Sequence, residues 1–188
     1  MRVGDLAAHA TPKAAGVRAV GLPSAVCRVL GLDPGSRLTG FGIIDCNGGS
    51  YRCVVHGTLD VGAGSIPERL RRIHVGVREL LAAHRSDEIA IEKVFVSRNV
   101  DSALKLGQAR GAALAALDAG ATVAEYAPRA IKLATVGSGA ADKLQVAHMV
   151  CALLQLQDAP RADAADALAV ALCHAHSRRL SALLAQPV

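Results

Sequence analysis

Four acidic residues occupy places where acids are costly. Asp33 closes the apolar run Val29, Leu30, Gly31, Leu32, and Glu92 closes the run Ile89, Ala90, Ile91. An acid at the end of a buried strand carries a desolvation cost unless a cation or a hydrogen-bond donor faces it. Two strand ends of this kind lie about 5 Å apart if their strands are neighbours. Asp163 and Asp166 are three residues apart, a spacing that puts both on one face of a helix. Ala164, Ala165, Ala167 and Leu168 surround them, so the helix reads as buried with its acids facing a cleft. Acids that converge without basic partners repel, and one or more must bind a proton or a metal. Oxygen-only ligation suits a hard cation, magnesium or manganese. Two such ions about 4 Å apart can clamp the attacking water and the leaving oxygen of a phosphodiester. Singly, each acid also has a plainer reading. Asp33 could cap the Pro34-Gly35 turn, Glu92 could be an exposed strand end, and Asp163 and Asp166 could complement a helix dipole. The glycines around Asp33 (Gly31, Gly35, Gly40, Gly42) read as room for a phosphate backbone to approach.

The elements that must position these acids follow from hydrophobic pattern and turn chemistry. Residues 27–33 form a short apolar run before a Pro-Gly turn, which reads as a buried strand. Residues 38–46 and 51–60 read as two further strands, joined through the hairpin signal Asn47-Gly48-Gly49. Pro67 and Glu68 open a helix that runs to about residue 84, with Leu70, Ile73, Val77, Leu80 and Leu81 at helical spacing. Residues 88–92 return to strand. Residues 100–118 carry a helical face of Ala103, Leu104, Gly107, Gly111, Leu114 and Leu117, and residues 121–126 form a fifth strand. Pro128 opens a helical region interrupted at Gly137-Ser138-Gly139. Two helices, 142–156 and 162–178, flank Pro160. The order β-β-β-α-β-α-β-α-α predicts an α/β fold with a mixed five-stranded sheet flanked by helices.

The chain has 188 residues, enough for one domain with a full core. Its residues are 52% hydrophobic and 20% charged, a globular composition. Residues 1–26 are rich in Ala, Gly and Pro without a period, and they read as an extension that is disordered or outside the fold. The domain is expected at 27–178, with a tail at 179–188. The net charge of +5 is compatible with a polyanionic partner. Trp is absent and only Phe41, Tyr51, Phe95 and Tyr126 are aromatic, which disfavours a broad base-stacking surface. Five scattered cysteines without CxxC spacing read as free thiols in a reducing cytoplasm, not a zinc site. His174 and His176, two apart on a helix, face different ways and do not suggest zinc. No apolar run is long enough for a membrane span.

Four segments, in order, resemble one family. VLGLDPGSRLTGFGIID (29–45), AIEKVFVSRNVDSALKLGQARGAALAAL (90–117), VGSGAADKLQVAHMV (136–150) and RADAADALAVALCHAH (161–176) are similar to the motifs of the RuvC Holliday-junction resolvases. Residues 1–26 have no counterpart in it. The resemblance implies a ribonuclease H-like fold, a homodimer and cooperation with RuvA and RuvB. It implies magnesium-dependent, symmetric nicking of four-way junction DNA, giving 5′-phosphate and 3′-hydroxyl ends, with two Mg2+ per site and Mn2+ as a substitute. By motif, Asp33, Glu92, Asp163 and Asp166 are the implied catalytic and metal-binding acids, with Asp33 bridging both ions. Where some members carry His first in the helical pair, this chain carries Asp163.

The same resemblance points Lys132 and Lys143 toward the scissile phosphate and makes Phe95 a wedge at the crossover. From the residues alone, the lysines could be ordinary solvated ones and Phe95 a core residue. Arg37, Arg98 and Asn99 lie beside the acidic motifs as candidate phosphate contacts. Small residues four apart around Gly107 and Gly111 permit close helix approach, either to the chain's own sheet or to a second copy. Three other functions use overlapping features: a sugar-kinase or actin-like ATPase, a junction-binding dimer without cleavage, and a ribonuclease H acting on RNA–DNA hybrids.

Overall fold

The computed structural model describes residues 26–94 and 99–185. Phe95, Arg98 and residues 1–25 and 186–188 lie outside the described residues. Strands β1 (Cys27–Pro34), β2 (Leu38–Asn47) and β3 (Ser50–Asp60) form an antiparallel meander. The β2–β3 turn has Gly48 at φ 57° and Gly49 at φ 106°, the positive pair that a two-residue hairpin requires. Helix α1 (Ile66–His84) leads to β4 (Glu88–Glu92), which pairs in parallel with β1. Helix α2 (Val100–Ala115) leads to β5 (Thr122–Tyr126), parallel to β4. The sheet order is β3-β2-β1-β4-β5. Helices α3 (Pro128–Val136), α4 (Lys143–Leu154) and α5 (Ala162–Leu184) complete the fold. Among the described residues, no helix is long and apolar enough to cross a membrane.

The two-residue period of a strand divides the sheet into two buried faces. Leu30, Leu32, Ile43, Ile89 and Ile91 pack on one face with Ile73 and Val77 of α1 and Ala109 and Ala113 of α2. Val29, Ile44 and Ala90 pack on the other with α5 and with Ile131, Val146 and Val150 of α3 and α4. Because Asp33 and Glu92 keep step with Val29 and Ala90, both belong to the α5 face.

Three expectations change. The region opened by Pro128 is a helix in its own right, α3, ended by Gly137 at φ 81°. Helix α5 continues past residue 178 to Leu184, so the segment expected as a tail begins as helix. The polar run Ser177–Arg179 marks where the helix leaves the core, not where it stops. Ser177 Oγ donates to the Cys173 carbonyl at 2.9 Å, and Arg178 Nε donates to Glu88 at 2.8 Å. In α2 the face read as one stripe is divided. Ala109 and Ala113 are buried, while Leu104 is 61% exposed and nothing stands within 4 Å of a side chain built at Gly107 or Gly111.

Candidate active site

The β1–β4 register pairs Leu32 with Ile91, so Asp33 and Glu92 follow one another side by side on adjacent strands. Strand spacing puts their backbones about 5 Å apart. Helix α5 crosses above them from its first turn. A side chain at Gly40 would meet the Asp163 carbonyl oxygen at 1.9 Å, and one at Gly31 would meet the Ala167 carbonyl oxygen at 2.2 Å. At Gly42 it would meet Leu168 at 2.6 Å. The absence of Cβ atoms at these three glycines seats the α5 backbone directly on β1 and β2, which brings Asp163 and Asp166 over Asp33. This corrects the reading of Gly31, Gly40 and Gly42 as room for a phosphate. Gly35 closes the turn instead, since a side chain there would strike the Leu38 carbonyl at 2.2 Å.

The electrostatics follow from that crowding. Burial pushes the Asp33 carboxyl up to about 6, and the charges of Asp166 and Asp163 push the same way against Lys143. Burial pushes Glu92 up to about 7, with Asp33 and Asp166 adding to it and Lys143 and Lys132 opposing. Asp33 thus feels Asp166 and Asp163, and Glu92 feels Asp33 and Asp166. They are not without basic partners, as the sequence suggested. Lys143 Nζ donates to Asp166 Oδ2 at 2.9 Å, and Asp166, with Asp33 and Asp163, holds the ammonium above its usual range. Lys143 stands at the start of α4, where Asp142 and Gln145 cap one another through contacts of 2.8 and 2.9 Å. That reciprocal cap fixes the helix start.

A cleft of about 240 Å³ opens here, lined by Glu92, Lys132, Lys143 and Asp166 on a floor that includes Ile131, Val146 and Ala169. Among the described residues, no three His, Cys, Asp or Glu side chains already stand as a ligand set, and Asp166 is turned to Lys143. The donor chemistry nonetheless fits a hard divalent cation. The donors are carboxylate oxygens, and their proton affinities are raised first by burial and then by the neighbouring acids, so a cation would relieve both.

The remaining candidates lie apart from the cleft or hold other partners. Arg37 is exposed in the turn after β1, on a groove with Asp60 and Arg69. Asn99 caps α2, its side chain accepting from the Ser102 amide at 3.1 Å. His174 and His176 have separate partners, His174 at Tyr126 and Glu88 and His176 at the Ala134 carbonyl. The His174 chain escaped sequence reasoning. Its members Glu88, Tyr126 and His174 are 38 to 86 residues apart, and the pairing of β4 with β5 under α5 unites them.

Comparison with known proteins adds an independent line. Residues 29–174 match the family model described as crossover junction endodeoxyribonuclease RuvC. The chain belongs to the RuvC family. Across 153 residues it is 60% identical to the RuvC of Halorhodospira halophila, covering 80% of this chain and 91% of that one. It is 56% identical over 159 residues to the Coxiella burnetii protein, covering 84% and 92%. A solved structure of Thermus thermophilus RuvC in complex with a Holliday junction substrate superposes with a TM-score of 0.77. That match has 37% identity and covers 83% of this chain and 97% of the other. The yeast mitochondrial Holliday junction resolvase Ydc2, at 11% identity and a TM-score of 0.58, shares the fold. The architecture is thus the ribonuclease H-like fold of these RuvC resolvases.

Proposed function

We propose that this chain resolves four-way DNA junctions as a homodimer, by paired opposed nicks that leave 5′-phosphate and 3′-hydroxyl ends. The observation that carries this is the convergence of Asp33 and Glu92 on adjacent strand ends beneath the Asp163 and Asp166 turn of α5. Family membership supplies the substrate class, since the Thermus thermophilus relative was solved with a Holliday junction.

Asp33, Glu92, Asp163 and Asp166 would hold divalent cations, two Mg2+ per site with Mn2+ able to replace them. Such cations supply Lewis-acid stabilisation of the phosphate and lower the proton affinity of water. The chain's own part is positioning and charge. Because burial and neighbouring acids raise Asp33 to about 6 and Glu92 to about 7, cation binding near neutrality would be coupled to proton release. Lys132 and Lys143 line the cleft and add positive charge where a phosphate gains negative charge. Lys143 also restrains Asp166 until the acid is recruited. Phe95 and Arg98 belong to the segment joining β4 to α2, next to Glu92 in the chain. They are proposed as crossover wedge and phosphate contact, and Arg37 and Asn99 as further backbone contacts.

The α2 stripe of Val100 (73% exposed), Leu104 (61%), Gly107 and Gly111 favours the dimer. These residues recur at helical spacing, and the two glycines allow a second helix to approach closely. Two opposed cuts need two sites related by a two-fold axis. Cooperation with RuvA and RuvB in a cytoplasmic setting completes the proposal. The test is cleavage of a synthetic four-way junction with Mg2+, against linear duplex and RNA–DNA hybrid of the same sequence. Paired nicks confined to the junction are expected. Preferential hybrid cutting would favour the ribonuclease H reading, and junction binding with no cutting in Mg2+ or Mn2+ would leave a binding module.

A further inference from the structure

The far end of β4 carries a polar chain that the reading above does not use. His174 is 7% exposed in the middle of α5, yet both ring nitrogens are engaged. Nδ1 lies 2.8 Å from the Tyr126 hydroxyl, and Nε2 lies 2.6 Å from Glu88 Oε2. Glu88 Oε1 accepts from Arg178 Nε at 2.8 Å. Burial alone would raise Glu88, but hydrogen bonds from Arg178 and His174 and their charges hold it below the usual range. In the tautomer that donates Nε2–H to Glu88 Oε2, Nδ1 is left to accept from the Tyr126 hydroxyl.

The position of this chain along the fold is informative. Strand β4 begins at Glu88 and ends at Glu92, four residues or about 13 Å. Helix α5 runs the opposite way, and Asp166 to His174 is eight residues or about 12 Å. The spans match, so a contact that pins His174 to Glu88 sets where Asp166 falls relative to Glu92. On β1 and β4 the surface between them offers little axial grip, the larger Leu168 seating on Gly42 of β2 instead. Gly31 meets the backbone of Ala167 and Ala171, and Ala90 is the only β4 side chain between the two acids on that face. Smooth glycine–alanine contacts permit close approach without interlocking, whereas a functional constellation must be held to about 0.5 Å. Tyr126 extends the tie. It is the register partner of Glu92 and stands two residues before α3, the helix that carries Lys132.

We propose that Glu88, His174 and Tyr126 form a register lock that fixes α5 along β4 and thereby sets the spacing of Asp166 from Glu92. His174 is then a positioning residue for the cation-holding acids. The inference rests on the proposed function, because those acids must bind cations for their spacing to matter.

The test compares His174→Leu, which abolishes both contacts, with His174→Gln, which keeps a donor toward Glu88. Each full-length protein is titrated with Mn2+ by calorimetry, and junction cleavage and metal-free junction binding are measured well below the melting temperature. His174→Leu should weaken Mn2+ binding and slow cleavage by about tenfold or more, the usual effect of removing a group that orients metal ligands. Junction binding should stay near wild type, and His174→Gln should recover most of the Mn2+ affinity. Should His174→Leu not fold, Glu88→Ala removes the other half of the lock and is read the same way. A lower melting temperature with Mn2+ affinity and cleavage within twofold of wild type would overturn the lock and leave a purely structural histidine. Wild-type protein that binds no Mn2+ would instead overturn the proposed function, and the lock with it.

Discussion

Asp33→Asn should stabilise the cation-free protein at alkaline pH while removing its response to cations. The folded protein raises the Asp33 pKa from 3.8 to about 6, first through burial and then through Asp166 and Asp163. At about 1.4 kcal/mol per tenfold change in proton affinity, that is about 3 kcal/mol. Relaxation and water entry around a buried charge reduce the realised effect to about 2 kcal/mol. The sign follows from linkage. A folded-state pKa above the unfolded one means that the folded protein binds the proton more tightly. The stabilisation is complete below pH 3.8 and is lost as the pH rises through about 6. At pH 8 the wild type therefore carries an uncompensated charge that asparagine lacks. A gain of about 2 kcal/mol in a chain of this size raises the melting temperature by roughly 4–8 °C. Thermal unfolding in EDTA should give that gain at pH 8 and little at pH 4.5. With Mn2+ at pH 8 the wild type should recover the difference and the variant should respond weakly. An equal shift at both pH values, or destabilisation at pH 8, would refute the claim that burial and the neighbouring acids penalise an ionised Asp33.

Three further outcomes follow from particular contacts. Lys143→Met should slow single-turnover cleavage by about 100-fold, as loss of a group that stabilises transition-state charge does, with junction affinity changed less than threefold by gel shift. Gly40→Ala puts a methyl 1.9 Å from the Asp163 carbonyl, and should cost about 1–3 kcal/mol in urea denaturation as α5 is lifted from β2. Leu104→Glu should convert a dimer to a monomer in sedimentation equilibrium with little change in the monomer's melting temperature, because the side chain is 61% exposed.

Local chemistry made much of the fold legible. Asn47-Gly48 announced the hairpin, the apolar runs ending in Asp33 and Glu92 announced two strand ends, and Pro67 with Glu68 announced α1. Features set by distant contacts were not legible. Gly31, Gly40 and Gly42 read as space around an acid, but Gly31 and Gly40 face the backbone, and Gly42 the Leu168 side chain, of a helix more than 120 residues away. The end of α5 was misplaced because Arg178 looks like a solvated residue until Glu88 is set beside it. Leu104 was read on one helical face with Gly107 and Leu114, and periodicity alone did not show that its side chain is exposed. The pairing of Lys143 with Asp166 was also hidden, and it changes the picture from bare repulsion to a partly balanced cluster. Phe95 and Arg98 fall outside the described residues, so their proposed roles rest on the motif.

The proposed cleavage requires Asp33 to act in one cluster with Glu92 and the α5 acids. The most direct measurement is cleavage of a synthetic four-way junction in Mg2+ by wild type and by Asp33→Asn, with junction binding followed in Ca2+. The account predicts paired nicks by wild type and near-complete loss of cutting by Asp33→Asn at unchanged junction affinity. Equal cutting by both proteins would contradict it.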